Sequence, residues 1–126
     1  MNIKNIPSFF RLAKNISKMS SHKYPMGSVI IISGHPVSVG YNQTKGHPQT
    51  KGWQKGLHAE IHAIKCSDVK DFRGAKIFVY REDRNGNLAM ARPCENCLNE
   101  LKRLGFKWMY YSTKEYPYWN VERIEK

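Results

Sequence analysis

Two short clusters of metal-ligating side chains constrain this chain more than anything else in it: His58-Ala59-Glu60 and, later, Pro93-Cys94-Glu95-Asn96-Cys97. Cys94 and Cys97 stand three apart at the start of a helical pattern over residues 93–104, so both sulfurs leave one helix face. His58 opens a second, shorter helical pattern over residues 58–66, with Ile61 and Ile64 on its apolar side. A fold that uses both clusters must bring two helix starts together at one end of its core. The partial positive charge of a helix N-terminus favours thiolate over thiol, and so favours a metal.

The donor set is two thiolates and one imidazole, and His58, Cys94 and Cys97 suit a single Zn2+. Three protein ligands leave a tetrahedral zinc with one open position, the catalytic form of site, where a bound water loses its proton near neutral pH. Glu60, two residues beyond a ligand, reads as a non-ligating carboxylate that takes the water's proton and returns it to a leaving nitrogen. Hydroxide attack on an amidine-like ring carbon, followed by loss of ammonia, is hydrolytic deamination. A closed Cys2His2 site is the competing reading, because His62 lies one helical turn from His58. It would leave Glu60 without a task. A redox role for Cys94-x-x-Cys97 lacks a thioredoxin-like context.

The rest of the pattern predicts a small α/β fold. Ile6, Phe9, Phe10, Ala13, Ile16 and Met19 recur at helical spacing and predict a first helix over residues 7–20. GSVIIIS (27–33) and VSVGYN (37–42) are β-rich runs joined as a hairpin by Gly34-His35-Pro36. Residues 43–56 have Gly and Pro without periodicity and read as a long loop. AKIFVY (75–80) is a buried strand, and Asn85-Gly86 marks a turn before Pro93. Pro93 suits a first helical turn and Gly105 a C-cap, after which FKWMYYS (106–112) is a final strand. The tail from Lys114 onward is polar and aromatic and receives no element. The order α-β-β-α-β-α-β predicts a three-layer α/β/α architecture with a central mixed sheet, residues 1–126 forming one domain.

Composition bounds the setting. With 40% hydrophobic residues the chain has enough apolar material for one core without disulfides. It has no apolar run long enough to span a membrane, residues 1–21 do not read as a secretory signal, and the odd cysteine count fits a reducing cytoplasm. A formal charge of +11, from 21 Lys plus Arg against 10 Asp plus Glu, favours a phosphate-bearing partner, either a nucleotide or a single-stranded nucleic acid. Cys66 reads as a small core residue and His35 as a solvated turn residue. Lys45, His47, Lys51, Trp53 and Lys55 fall in the long loop, and Arg81 and Arg92 bracket the connection into Cys94. The tail aromatics Tyr116, Tyr118 and Trp119 read as cover for the core or for an interface in a homo-oligomer.

The combination H-x-E with P-C-x-x-C is the zinc nucleobase-deaminase signature. Over residues 6–112 the layout, from a helix through GSVIIIS, Gly40-Tyr41-Asn42, HAEIHAI and PCENC to Tyr110-Tyr111-Ser112, resembles the cytidine and deoxycytidylate deaminase family. It is most similar to deoxycytidylate deaminases, and among them to compact phage-encoded or bacterial members. The chain has no cysteines for the further zinc site that some of them carry. The resemblance implies a cytidine-deaminase-like fold and hydrolytic deamination of a cytosine-bearing nucleotide, with dCMP the first candidate. A base in single-stranded DNA or RNA is the alternative substrate, and a nucleic-acid-binding module with a purely structural zinc is the alternative from another class. By the same resemblance, Asn42 would contact the sugar or base, the Ala59 backbone the pyrimidine carbonyl, and Tyr111 the pocket wall. Arg92 departs from the family pattern and adds a cation beside the substrate site.

Overall fold

The computed structural model describes residues 6–43 and 58–124, which form three helices and six strands. In chain order these are α1 (Ile6–Ser17), β1 (Met26–Ile32), β2 (His35–Tyr41), α2 (Ala59–Cys66) and β3 (Lys76–Glu82). They continue with β4 (Leu88–Ala89), α3 (Glu95–Leu104), β5 (Trp108–Ser112) and β6 (Trp119–Arg123). All six strands lie in one sheet of order β2-β1-β3-β5-β6, with β4 paired to β3. Only β3 and β5 run parallel, so the sheet is mixed, as the element order requires.

Strand alternation divides the core. Ile30, Ile77, Val79 and Met109 face one side, where Ala63 of α2 and Leu101 of α3 cover them. Val29, Ile31, Phe78 and Tyr80 face the other, under Ile6, Phe9 and Ala13 of α1. The result is α1, sheet, then α2 with α3, the three layers that the pattern predicts. Two glycines set how closely helices approach. A Cβ on Gly27 would stand 2.1 Å from the Ala13 carbonyl oxygen, and one on Gly40 2.3 Å from the Ala63 nitrogen. Hydrogen bonds from Ser28 Oγ to the Ala59 carbonyl and from Ser38 Oγ to the Ala63 carbonyl tie α2 to β1 and β2.

Several details differ from the sequence expectation. The hairpin turns at Ser33-Gly34, both with positive φ, as a two-residue turn between twisted strands requires. His35 and Pro36 therefore belong to β2, where Pro36 is tolerated because β2 is an edge strand and the ladder shifts register at Ile30/Ile31. The Asn85-Gly86 turn closes a short hairpin that adds β4, its amides at Asn85 and Asn87 donating to Asp83 Oδ1. The tail supplies β6, on which Trp119 packs near Phe10 and Tyr110. Cys66 is exposed at the end of α2 and is not a core residue. The loop expected over residues 43–56, with Lys45, His47, Lys51, Trp53 and Lys55, lies outside the described residues except for Gln43.

Candidate active site

Both ligand clusters sit at helix caps. His58 is the N-cap of α2 and Cys94 the N-cap of α3, each with extended backbone, while Cys97 lies in the first turn of α3. The helices share the side of the sheet carrying Ile77 and Val79. Their starts meet near the C-terminal end of β3, where Arg81 stands. His58 Nδ1 is 3.2 Å from Cys97 Sγ and 3.7 Å from Cys94 Sγ, and the three donor atoms fall within 4.8 Å of one another. With Zn–S of about 2.3 Å and Zn–N of about 2.0–2.1 Å, a tetrahedral ion would set such atoms about 3.5 Å apart. The donor set and its spacing fit zinc.

The grouping is of three, not four. Among the described residues only His58, Cys94 and Cys97 form a metal-capable cluster. His62 turns instead toward β2, where the Tyr41 amide donates to its Nδ1 at 3.0 Å and the Tyr41 ring meets it edge-on. The closed Cys2His2 alternative therefore fails, because its fourth ligand is packed against the sheet.

Electrostatics separate the three. Burial, then His22 and Arg81, lower the His58 pKa, which keeps its imidazole neutral and able to ligate. Burial, reinforced by Glu60 and Cys94, pushes the Cys97 thiol far up. A helix N-terminus favours thiolate, and at Cys97 desolvation outweighs that field. A metal taken up here must displace the Cys97 proton. Cys94 is exposed at the opening.

Glu60, in the first turn of α2, is 2% exposed, and its Oε1 is the one buried side-chain polar atom without a hydrogen-bond partner among the described residues. Burial raises its pKa to about 7, against the opposing pull of its own backbone amide and of Arg81. An orphaned carboxylate oxygen is costly to retain. It lines a cavity of about 360 Å3 together with His58, Cys94, Asn42, Arg81 and Arg92.

Asn42 borders this cavity, and its amide also braces the wall: Nδ2 donates to the Tyr24 carbonyl, and Oδ1 accepts from the Met26 amide. Ala59 is wholly buried at the first helical position of α2, where an amide has no acceptor within the helix. Arg92 lines the cavity but is engaged by Glu122, Nε at 2.8 Å and Nη2 at 3.2 Å. Tyr111 is not in the cavity lining. It is 3% exposed, donates its hydroxyl to Glu122 and accepts from Asn120 Nδ2, so it braces the carboxylate that holds Arg92. Sequence reasoning missed His22, Tyr24, Met26 and Gln43, which complete the lining. Their signal was position: 22–26 enters β1 and Gln43 leaves β2 at the same sheet end as Asn42.

Residues 3–113 match the family model described as the cytidine and deoxycytidylate deaminase zinc-binding region. Compared with individual curated proteins, the sequence matches none. Among solved structures it is similar to dCMP deaminase from the cyanophage S-TIM5 in apo form, with 21% identity and TM-score 0.67 over 90% of this chain and 86% of that one. The same phage enzyme in complex with dCMP and dUMP aligns at TM-score 0.66 and 18% identity, covering 90% and 84%. Cytidine deaminase from Mycobacterium leprae aligns at TM-score 0.60 and 21% identity, covering 95% and 93%. The three-layer fold is common to them.

Proposed function

From the premise that this chain belongs to the cytidine and deoxycytidylate deaminase family and is a zinc-dependent deaminase, we propose that it converts a cytosine-bearing mononucleotide, with dCMP the first candidate, to the uracil product with release of ammonia. The observation that carries the reading is Glu60: a buried carboxyl with an unpartnered Oε1 and a pKa near 7, bordering a cavity shared with His58 and Cys94. A cavity of about 360 Å3 is of a size for one small molecule. The same proposal treats residues 1–126 as one catalytic domain, which the single sheet supports.

Bound by His58, Cys94 and Cys97, zinc would supply Lewis-acid activation of water near neutral pH. Glu60 accepts the proton of the attacking water at Oε1 and gives it to the exocyclic nitrogen, so a C–O bond forms, the C–N bond breaks and ammonia leaves with its proton count complete. Burial without a partner at Oε1 raises the proton affinity of the Glu60 carboxyl in the metal-free site, which suits a group that takes up a proton. The Ala59 amide is offered to the pyrimidine carbonyl and Asn42 to the sugar or base. Burial of Glu60 keeps bulk water from competing for its proton.

The cyanophage enzyme whose structure holds dCMP and dUMP supports a free nucleotide as substrate, as does the size of the cavity. The charge of +11 keeps a polynucleotide in the test. Ammonia release is measured across dCMP, CMP, deoxycytidine, cytosine, guanine and oligonucleotides, with a salt series for the last. A mononucleotide substrate gives a shallow salt dependence. Turnover confined to oligonucleotides, with a log–log slope near about −0.7 for each phosphate contacted, overturns the reading. A homo-oligomer is part of the same proposal, supported by the exposure of Tyr116 and Tyr118, and light scattering decides it.

A further inference from the structure

Three arginines are ion-paired, and among the described residues one at the site is not. Arg73 pairs with Asp71, Arg103 with Glu100 and Arg92 with Glu122. Arg123 lies over the Trp108 ring, far along the sheet from the metal-capable cluster. Arg81 ends the row begun by Ile77 and Val79 on β3, so strand alternation aims it at the face covered by α2 and α3. There it lines the cavity with His58, Glu60 and Cys94, half-buried and without an ion pair among the described residues. The next residue, Glu82, points to the opposite face, where it accepts the Tyr80 hydroxyl at 2.7 Å. Glu60 feels the Arg81 charge but lies beyond ion-pair distance. The guanidinium instead faces the Tyr24 ring, whose centroid is 5.5 Å from its Cζ. Asn42 fixes Tyr24 in turn, through the hydrogen bond from Nδ2 to its carbonyl.

We propose that Arg81, held against the Tyr24 ring, reads the phosphate of the substrate and so selects a nucleoside monophosphate over the free nucleoside. This rests on the mononucleotide reading above and names the residue that would enforce it. A guanidinium taken partly out of water without a counter-charge is costly, and a ligand anion removes that cost. A cation–π contact with an aromatic face holds a guanidinium without using its N–H groups, which stay available for two phosphate oxygens. Arg92, by contrast, already commits its fork to Glu122, so that pair brings no net charge to the cavity. Among the described residues that line the cavity, Arg81 is therefore the guanidinium without an ion pair. Tyr24 is a positioning residue, because it acts through Arg81.

The test compares kcat/KM for dCMP and deoxycytidine in the zinc-loaded wild type, Arg81→Gln, Arg81→Lys, Tyr24→Leu, Arg92→Gln and the exposed control Arg84→Gln. Loss of a charged hydrogen-bond pair corresponds to about 10- to 100-fold. Arg81→Gln is expected to lower the dCMP to deoxycytidine ratio by that factor, mainly through KM. Arg81→Lys recovers part of it, because the charge returns without the fork, and Tyr24→Leu gives a smaller drop of the same sign. Equal loss on both substrates in Arg81→Gln, or collapse of the ratio in Arg92→Gln instead, overturns the inference while leaving the deaminase reading intact. If no cytosine substrate turns over, that reading fails, and calorimetry with dUMP and inorganic phosphate tests Arg81 by itself. Phosphate-dependent binding lost in Arg81→Gln then upholds the inference, and binding indifferent to Arg81 ends it.

Discussion

The proposed role of Glu60 requires it to ionise, yet burial to 2% exposure opposes ionisation and raises its pKa to about 7. Before metal is bound, this has a consequence for stability. The folded pKa stands above the ordinary 4.5, so the native state holds its proton where the unfolded chain has lost it. The contribution is fully present below pH 4.5 and is lost as pH rises through about 7, a change on the order of 3 kcal/mol. Urea unfolding of the metal-free wild type and Glu60→Gln from about pH 4.5 to 8 should differ by that decline, since His58, with its lowered pKa, contributes the opposite slope to both. The same variant, loaded with zinc, should keep its metal and its circular dichroism while turnover falls by about 10²- to 10⁴-fold. Full activity in Glu60→Gln would remove Glu60 from the chemistry.

At the scale of elements, the position of α2 decides whether His58 and Glu60 reach the cavity, and Gly40 decides the position of α2. A Cβ there would stand 2.3 Å from the Ala63 nitrogen and 2.5 Å from the Ala59 carbonyl oxygen, both backbone atoms that no rotamer change can move. Gly40→Ala should cost about 1–3 kcal/mol, as overpacking does, and should lower activity further by shifting α2. Thermal unfolding and zinc stoichiometry measured on one preparation separate the two effects. Gly34, in the turn between β1 and β2, has nothing within 4 Å of its Cβ position, so Gly34→Asn is the control that leaves α2 in place. The last strand acts at longer range. Glu122 on β6 holds Arg92 beside the cavity, Tyr111 holds Glu122, and Asn120 holds Tyr111 in turn.

For the whole molecule, zinc joins segments that the chain keeps apart: the start of α2 and the start of α3 have the hairpin of β3 and β4 between them. Chelation should therefore lower Tm by several degrees, restored by added zinc, because a ligand that binds only the folded state stabilises it by mass action. Cys94→Ala should show a low Tm that neither chelator nor zinc moves. Uptake should weaken on acidification, since Cys97 must give up a strongly held proton. The metal-ligating grouping is legible from spacing alone, because caps, i to i+3 geometry and ligand chemistry are local. So are the three layers and the positions of α1, α2, α3 and β3, which follow from apolar periodicity, and the C-cap at Gly105, whose φ of 88° glycine accepts. β4 and β6 are not legible: each is short, half-exposed and defined by the strand beside it, not by its own pattern. Nor can spacing reveal that Tyr111 braces Glu122 away from the cavity, that Cys66 faces solvent, or that among the described residues Arg92 has a carboxylate partner and Arg81 none. Ligand identity is written in neighbouring residues, whereas the partner of each charge is chosen by strands distant in sequence, and only the assembled sheet brings those together.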